Sequence, residues 1–235
     1  MRLGLSSAVA ADADLEELLA ACGRRGLAAL ELCAGNAHGV TVNDTLSGRR
    51  AASRARASGI VIGAYRASAA DDVMRIARLA EALAAPVLMD GTCDLERAQY
   101  LADMDVPVYA VVRGCSAVEA ADAIATVGLA LAWDATPADA PIGAQAQTLL
   151  STHGDRLRHI TLLGGGPEAV TQEGRGVGEL MGWLALSGFT GTVALAPGNP
   201  RYHVAWQAWL GRRGGWGCGS KSADRTLVNL ASGAS

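Results

Sequence analysis

Five ionisable residues stand at or near the ends of short apolar runs. Glu31 lies in Leu27–Gly35, Arg66 closes Ile60–Arg66, Asp90 lies in Pro86–Gly91, Arg113 in Val106–Gly114, and Asp134 closes Leu129–Asp134. The three carboxylates are candidates to move a proton. The two guanidiniums are suited to hold a carboxylate, a phosphate or a developing enolate oxygen. His38, in the segment Asn36-Ala37-His38-Gly39, adds an imidazole whose ordinary pKa is near neutrality, and so a candidate general acid/base. Burying such a set is costly unless its members pair or serve a ligand. Two readings are therefore open. One is a structural network in which Arg66 and Arg113 neutralise three acids. The other is a polar pocket for a small molecule.

The elements that must position these residues alternate along the chain. Apolar runs occupy Arg2–Ser7, Leu27–Gly35, Ile60–Arg66, Pro86–Gly91, Val106–Gly114, Leu129–Asp134, His159–Gly164 and Thr192–Pro197. Between them, amphipathic segments run over Asp14–Arg25, Ser47–Ser58, Asp71–Ala84, Asp94–Asp103, Ser116–Thr126, Gly143–Leu157 and Val177–Leu186, with a closing helix over His203–Arg212. Asp14, Asp71, Asp94 and Ser116 are expected at helix starts, and Gly26, Gly59, Gly128 and Gly188 at helix-to-strand turns. Eight strand–helix units in this length predict an α/β fold, a single (β/α)8 TIM barrel. The rival, an open doubly wound sheet, calls for a glycine-rich phosphate turn after an early strand, and none opens a helix here. The barrel is expected to span residues 1–213, with 214–235 as a C-terminal tail.

Strand parity then assigns faces. In the sixth run Leu129, Leu131 and Trp133 are the large set and should meet the helices, which turns Asp134 inward. The same argument points Ala29, Glu31 and Cys33 inward in the second run, and His159, Thr161 and Leu163 in the seventh. All five charged residues then fall at the C-terminal mouth, where barrels of this kind carry their active sites.

Composition excludes several classes. Half of the 235 residues are hydrophobic and 18% are charged, which suits a buried core rather than long disorder. A net charge of −3 argues against a dedicated nucleic-acid binder. No apolar stretch of about 18 residues is present, so no membrane span is expected. The N-terminus runs directly into acidic sequence and reads as a first strand rather than a signal peptide. Five cysteines without metal spacing fit reduced thiols and a cytoplasmic setting. With five Trp, four Tyr and one Phe, the core must be largely aliphatic.

The runs GRRGLAALELCAG, LALAWD and RHITLLGGG, and the segment EGRGVGELMGWLALSGFTGTVALAPGNP, give the chain a likeness to a known group. It resembles the xylose isomerase-like barrels, the sugar-phosphate isomerase/epimerase family, across nearly its whole layout. The resemblance implies one divalent metal, held by a Glu ending strand five, an Asp ending strand six, a His on strand seven and a Glu ending strand eight. In this chain those positions hold Arg113, Asp134, Thr161 and Ala196, and the family's His after the strand-six Asp is Pro137. One ligand of four is kept, and a fixed cation stands where a carboxylate belongs. No metal and no cofactor are therefore expected. The related DNA-repair endonucleases of this superfamily need many His ligands, and four His in total do not supply them.

Other mouth residues are weaker candidates. Arg175 lies beyond the glycine-rich stretch from Gly164 to Gly178; with backbone N–H groups it could bind phosphate, although a lid is the competing reading. Arg201 and His203 follow the eighth run and would bind an anion or cap the last helix. His159 is expected deep in the barrel as a hydrogen-bonded core residue, and His153 in solvent. Cys33, beside acids, is a poor thiolate. Trp206, Trp209 and Trp216 are expected to pack a surface or a subunit contact, as in a homodimer. The expected function is a metal-independent isomerase/epimerase-like enzyme that moves a carbon-bound proton of a small, polar, anionic substrate. Asp134, Glu31, Asp90 or His38 would be the acid/base, and Arg113 and Arg66 would bind substrate. The alternative is a catalytically degenerate barrel that binds a small ligand or a protein partner.

Overall fold

The computed structural model describes residues 1–114, 117–136, 142–164 and 175–197, without the side chains of 142, 143 and 175–179. Eight strands follow one another around a closed parallel barrel. They are β1 (Arg2–Ser6), β2 (Ala29–Cys33), β3 (Val61–Arg66), β4 (Val87–Asp90), β5 (Val108–Arg113), β6 (Ala130–Ala135), β7 (Leu157–Gly164) and β8 (Thr192–Pro197). The helices are α1 (Leu15–Arg25), α2 (Thr45–Ala57), α3 (Val73–Leu83), α4 (Leu95–Asp103), α5 (Ala117–Ala125), α6 (Ile142–His153) and α7 (Arg175–Leu186). The expected (β/α)8 barrel is thus the observed fold. Ser116, the closing helix over His203–Arg212 and the 213/214 boundary lie outside the described residues.

Helix starts follow the chemistry of orphan backbone N–H groups. Asp14 forms a capping box with Glu17 at the start of α1. The cap of α3 is Asp72, because Asp71 is used one step earlier to accept from the Ser68 N–H. Asp94 stands at the start of α4 but makes no side-chain capping bond. Its carboxylate takes Arg97 instead, at 2.8 Å. The helix α6 ends at His153, and β7 begins at Leu157 rather than His159. His153 is buried and bonded to Asp122 of α5 at 2.9 Å, which corrects its expected place in solvent.

Two apolar clusters result. The larger lies between strands and helices and includes Leu30, Leu32, Ile62, Tyr65, Leu131 and Trp133. The smaller joins Ala64, Leu88, Val111 and Ala132, with Tyr109 packed against it. These four residues share the inward face and form an apolar floor inside the barrel. Parity therefore holds for β6, where Leu131 and Trp133 meet the helices and Ala132 and Asp134 do not.

In β3 simple alternation fails. Ile62, Ala64 and Arg66 would share one face, yet Ile62 belongs to the outer core and Ala64 to the inner floor. The ladder explains this. Leu30 pairs with Ile62, but Glu31 pairs with Ala64, so Gly63 is an extra residue that resets the phase. The bulge is what turns Arg66 inward.

Close approach between β1 and β2 depends on Gly4. A Cβ there would stand 2.8 Å from the Ala29 carbonyl oxygen and 2.9 Å from the Ala29 Cβ. Gly23, inside α1, would meet nothing within 4 Å. Opposite signs are expected from the same substitution. Gly4→Ala should lower unfolding free energy by about 1–3 kcal/mol, an overpacking cost. Gly23→Ala should raise it by about 0.5–1 kcal/mol through helix propensity. Urea unfolding of the two variants checks both.

Candidate functional site

The inward side chains at the C-terminal ends of β2 to β6 meet in one alternating chain of charge. Arg66 donates through Nε to Glu31 Oε1 at 3.0 Å. Its Nη1 and Nη2 grip Asp134 at 3.0 and 2.8 Å, a bidentate fork. Arg113 then bonds Asp134 Oδ2 through Nε at 2.9 Å and Asp90 Oδ2 through Nη1 at 2.7 Å. The order is acid, base, acid, base, acid: Glu31, Arg66, Asp134, Arg113, Asp90. Register builds part of it directly, because Arg113 pairs with Asp134 and Asp134 with Thr161 on neighbouring strands.

Glu31 is the deepest member. Its side chain is 1% exposed, and its two carboxylate oxygens accept five times between them. Oε1 takes Ser6 Oγ at 3.1 Å, Arg66 and, at 3.6 Å, Cys33 Sγ; Oε2 takes Thr161 Oγ1 at 2.9 Å and His159 Nε2 at 2.8 Å. Burial alone would raise its pKa. The charge of Arg66 and the hydrogen bond from His159 outweigh burial and hold Glu31 well below the usual carboxylate value of 4.5. A carboxylate so saturated serves to fix Arg66 and has no free lone pair for substrate. That moves Glu31 away from the acid/base role expected of it.

Arg66 is held as firmly. Burial would lower its pKa, but Glu31 and Asp134 raise it, so it remains a fixed cation. Its Nη2 also donates to Thr161 Oγ1 at 2.9 Å. Asp90 is tied at Oδ1 by Thr92 N, Thr92 Oγ1 and Cys93 N. Burial pushes its pKa up, but these hydrogen bonds and Arg113 bring it below the ordinary value. Arg113 is the open member, with 54% of its side chain exposed. Its Nη2 has no protein partner among the described residues.

His38 does not join the cluster. It is 4% exposed, its Nε2 lies 2.9 Å from the Cys33 carbonyl oxygen, and its Nδ1 accepts from the Val40 N–H at 3.2 Å. Both ring nitrogens are spent on loop backbone, and burial lowers its pKa. The expected acid/base role is corrected to a loop clamp. His159 is fully buried, as expected, but its partner is Glu31. The Nε2–H tautomer suits a carboxylate acceptor, and it leaves Nδ1 without a partner. Burial, then Glu31, pushes the Cys33 thiol up to about 11, so it is no nucleophile. Arg201 and His203 lie outside the described residues, as does the side chain of Arg175. The sequence had missed Ser6, His159 and Thr161 as partners of Glu31. The shared inward face of His159 and Thr161 was the available signal.

A divalent cation does not fit these groups. Asp134 is covered by two guanidiniums, Thr161 already bonds Arg66 and Glu31, and Ala196 offers no ligand. No group of three or more His, Cys, Asp or Glu suited to a metal occurs among the described residues.

No family model matches the chain, and no curated protein does. Solved structures do match its fold. A D-tagatose 3-epimerase-like protein superposes with TM-score 0.66 at 12% identity, covering 100% of both chains. A D-psicose 3-epimerase from Clostridium cellulolyticum H10 gives 0.61 at 14% identity, covering 99% of this chain and 97% of its own. A xylose isomerase domain protein from Planctomyces limnophilus gives 0.58 at 13% identity, covering 88% and 92%. The fold is that of the xylose isomerase-like TIM barrels.

Acid stability should report Glu31. Its folded pKa is depressed, so its contribution is complete above the ordinary value of 4.5 and is lost as pH falls below it. Glu31→Gln leaves Arg66 half paired and should cost about 3–5 kcal/mol at pH 7. Its unfolding free energy should fall less steeply than that of the unmodified chain below that pH. Urea titrations from pH 7 down to pH 3 measure both effects.

Proposed function

We propose that this chain is an isomerase- or epimerase-like enzyme that moves a carbon-bound proton of a small polar substrate without a divalent metal. One observation carries the reading. The Arg66 guanidinium lies against Asp134 and Thr161, two of the four positions that hold the cation in the barrels it resembles. The mouth thus keeps a positive charge where that chemistry needs one.

The residues divide the work by their free valences. Among the described residues Asp134 Oδ1 accepts one bond, from Arg66, which leaves a lone pair for a substrate proton or hydroxyl. Arg113 is 54% exposed, and its Nη2 has no partner among the described residues, which suits it to a carboxylate, phosphate or carbonyl oxygen of the substrate. As a proton leaves carbon, charge grows on that oxygen, and a fixed guanidinium stabilises it without reorganising. Asp90 holds Arg113 from the other side at 2.7 Å. Three carboxylates against two guanidiniums leave the cluster net negative, so an anionic group on the substrate is accommodated only beside the exposed Arg113. Arg175, Arg201 and His203 remain proposed anion contacts from the loops after β7 and β8. The expected setting is cytoplasmic and the expected partner a small molecule, with no nucleic acid or membrane. No helix among the described residues is long and apolar enough to cross a membrane. A homodimer through the Trp206, Trp209 and Trp216 region is part of the same proposal.

A second reading, a degenerate barrel that binds a ligand or partner without turnover, is favoured by the saturation of Glu31. Solvent exchange separates the two. Ketoses, sugar phosphates and keto acids are incubated with the protein in D2O containing EDTA, and carbon-bound protons are followed by NMR. Loss of a proton next to a carbonyl, undiminished by EDTA, is the expected result. Asp134→Asn should slow it by roughly 10²–10⁴-fold with little change in melting temperature. Arg113→Ala should weaken substrate binding by about 10–100-fold, or about 1.4–2.7 kcal/mol. Binding without exchange across the panel selects the second reading.

A further inference from the structure

Away from the charged mouth, a cavity of about 560 Å³ runs along α3, from Met74 in its first turn to Ala84 at its end. The turn from α4 into β5, Met104 to Pro107, bounds it on the other side. Most of its wall is apolar, with the two thioethers of Met74 and Met104, Pro86 ahead of β4, and the half-buried Tyr109 of β5. A space of this size takes a small organic molecule, and thioethers let the wall adapt to one. Met74 is 44% exposed, an apolar surface left to water.

Charge selects the occupant. The C-terminal ends of α3 and α4 both reach the cavity, at Ala84 and Met104, and such an end carries partial negative charge. The last turns of α1 and α2 answer that charge with Arg24, Arg25, Arg54 and Arg56, whereas those of α3 and α4 hold no basic residue. The lining adds two carboxylates, Glu81 and Asp105, against one guanidinium, Arg78, a turn further back on α3. The turns point the same way. Gly26, Gly59, Gly128 and Gly188 take positive φ where other helices give way to strands, but here the residues are Ala84 at φ 51° and Asp105 at φ 60°. They are the two non-glycine residues with positive φ among the described residues, and both line the cavity. An L residue holds this conformation at a cost that glycine avoids, and at 105 that cost keeps a carboxylate on the cavity wall. We propose that this cavity binds a small organic cation, an amine on an aromatic or aliphatic body, with its ammonium beside Glu81 and Asp105 and its body against Met74, Met104 and Tyr109.

The inference does not rest on proton transfer at the mouth, and a chain that exchanges no proton can still satisfy it. Three probes share one phenylalkyl body and differ in charge: 4-phenylbutylamine, 4-phenylbutanol and 5-phenylvalerate. Each is titrated calorimetrically into the full-length chain at pH 7 and low ionic strength. The amine should bind at about one equivalent, about tenfold or more tightly than the alcohol, and the carboxylate should not bind. Asp105→Asn keeps the turn, because Asn tolerates positive φ. Together with Glu81→Gln it should weaken the amine about tenfold or more with the melting temperature unchanged. Asp105→Gly, which relaxes the turn, should also weaken the amine without lowering the melting temperature. No binding of the amine, or equal affinity for amine and alcohol, overturns the proposal. So does preference for the carboxylate, which would make Arg78 the anchor. Amine binding that survives Asp105→Asn with Glu81→Gln lies elsewhere, the net-negative mouth included, and overturns it too. Amine binding that falls as protein concentration rises marks a second copy as the occupant, with the same consequence.

Discussion

The mouth of this barrel depends on one guanidinium. Without Arg66, Glu31 and Asp134 would be two nearly unexposed carboxylates facing each other with no shared counter-charge. The cost of such an arrangement is several kcal/mol per ion, and hydrogen bonds to neutral groups offset only part of it. Ser6, Thr161 and His159 are therefore supporting partners of Glu31, placed by the register of their own strands.

That arrangement is a backbone achievement before it is a side-chain one. Arg66 faces inward because Gly63 is counted out of the β2–β3 ladder. A strictly alternating β3 would have sent either Ile62 into the floor or Arg66 into the helix layer. A similar irregularity lies between Leu131 and Ala132 in the β6–β7 ladder, just before Ala132 pairs with His159. Both shifts occur in ladders that carry partners of Glu31. The bulges thus set the phase of the charged residues independently of the outer core.

Much of this was legible in the residues, for reasons that differ from place to place. Eight apolar runs separated by amphipathic helices determine the barrel count, and the large outward set of β6 determines the direction of Asp134. The five charged mouth residues could be recognised because each closes or nearly closes its run. Their connectivity could not, since the alternating chain depends on which strands are neighbours and on the stagger between them. Parity could not account for Arg66 either, since the bulge at Gly63 leaves no mark beyond one glycine. His38 was misjudged for a local reason. A loop imidazole after a strand looks available, but this one closes its own loop through the Cys33 carbonyl and the Val40 N–H. His153 was misjudged because a helix end near a neighbouring helix is not a free end, as its bond to Asp122 shows.

Saturation tells apart the roles of chemically similar groups. Glu31, Asp90 and Asp134 are all carboxylates in contact with arginine, yet their remaining valences differ. Glu31 spends Oε1 three times and Oε2 twice, and Asp90 spends Oδ1 three times on its own turn. Among the described residues Asp134 alone combines inward placement, two arginine partners and an oxygen that accepts a single bond. The arginines divide in the same way, since Arg66 is consumed by the network while Arg113 is half in water, with its Nη2 unpartnered among the described residues. The interior half of the network thus fixes the fold of the mouth. In the proposed function, Asp134 with Arg113 is the part that meets the substrate.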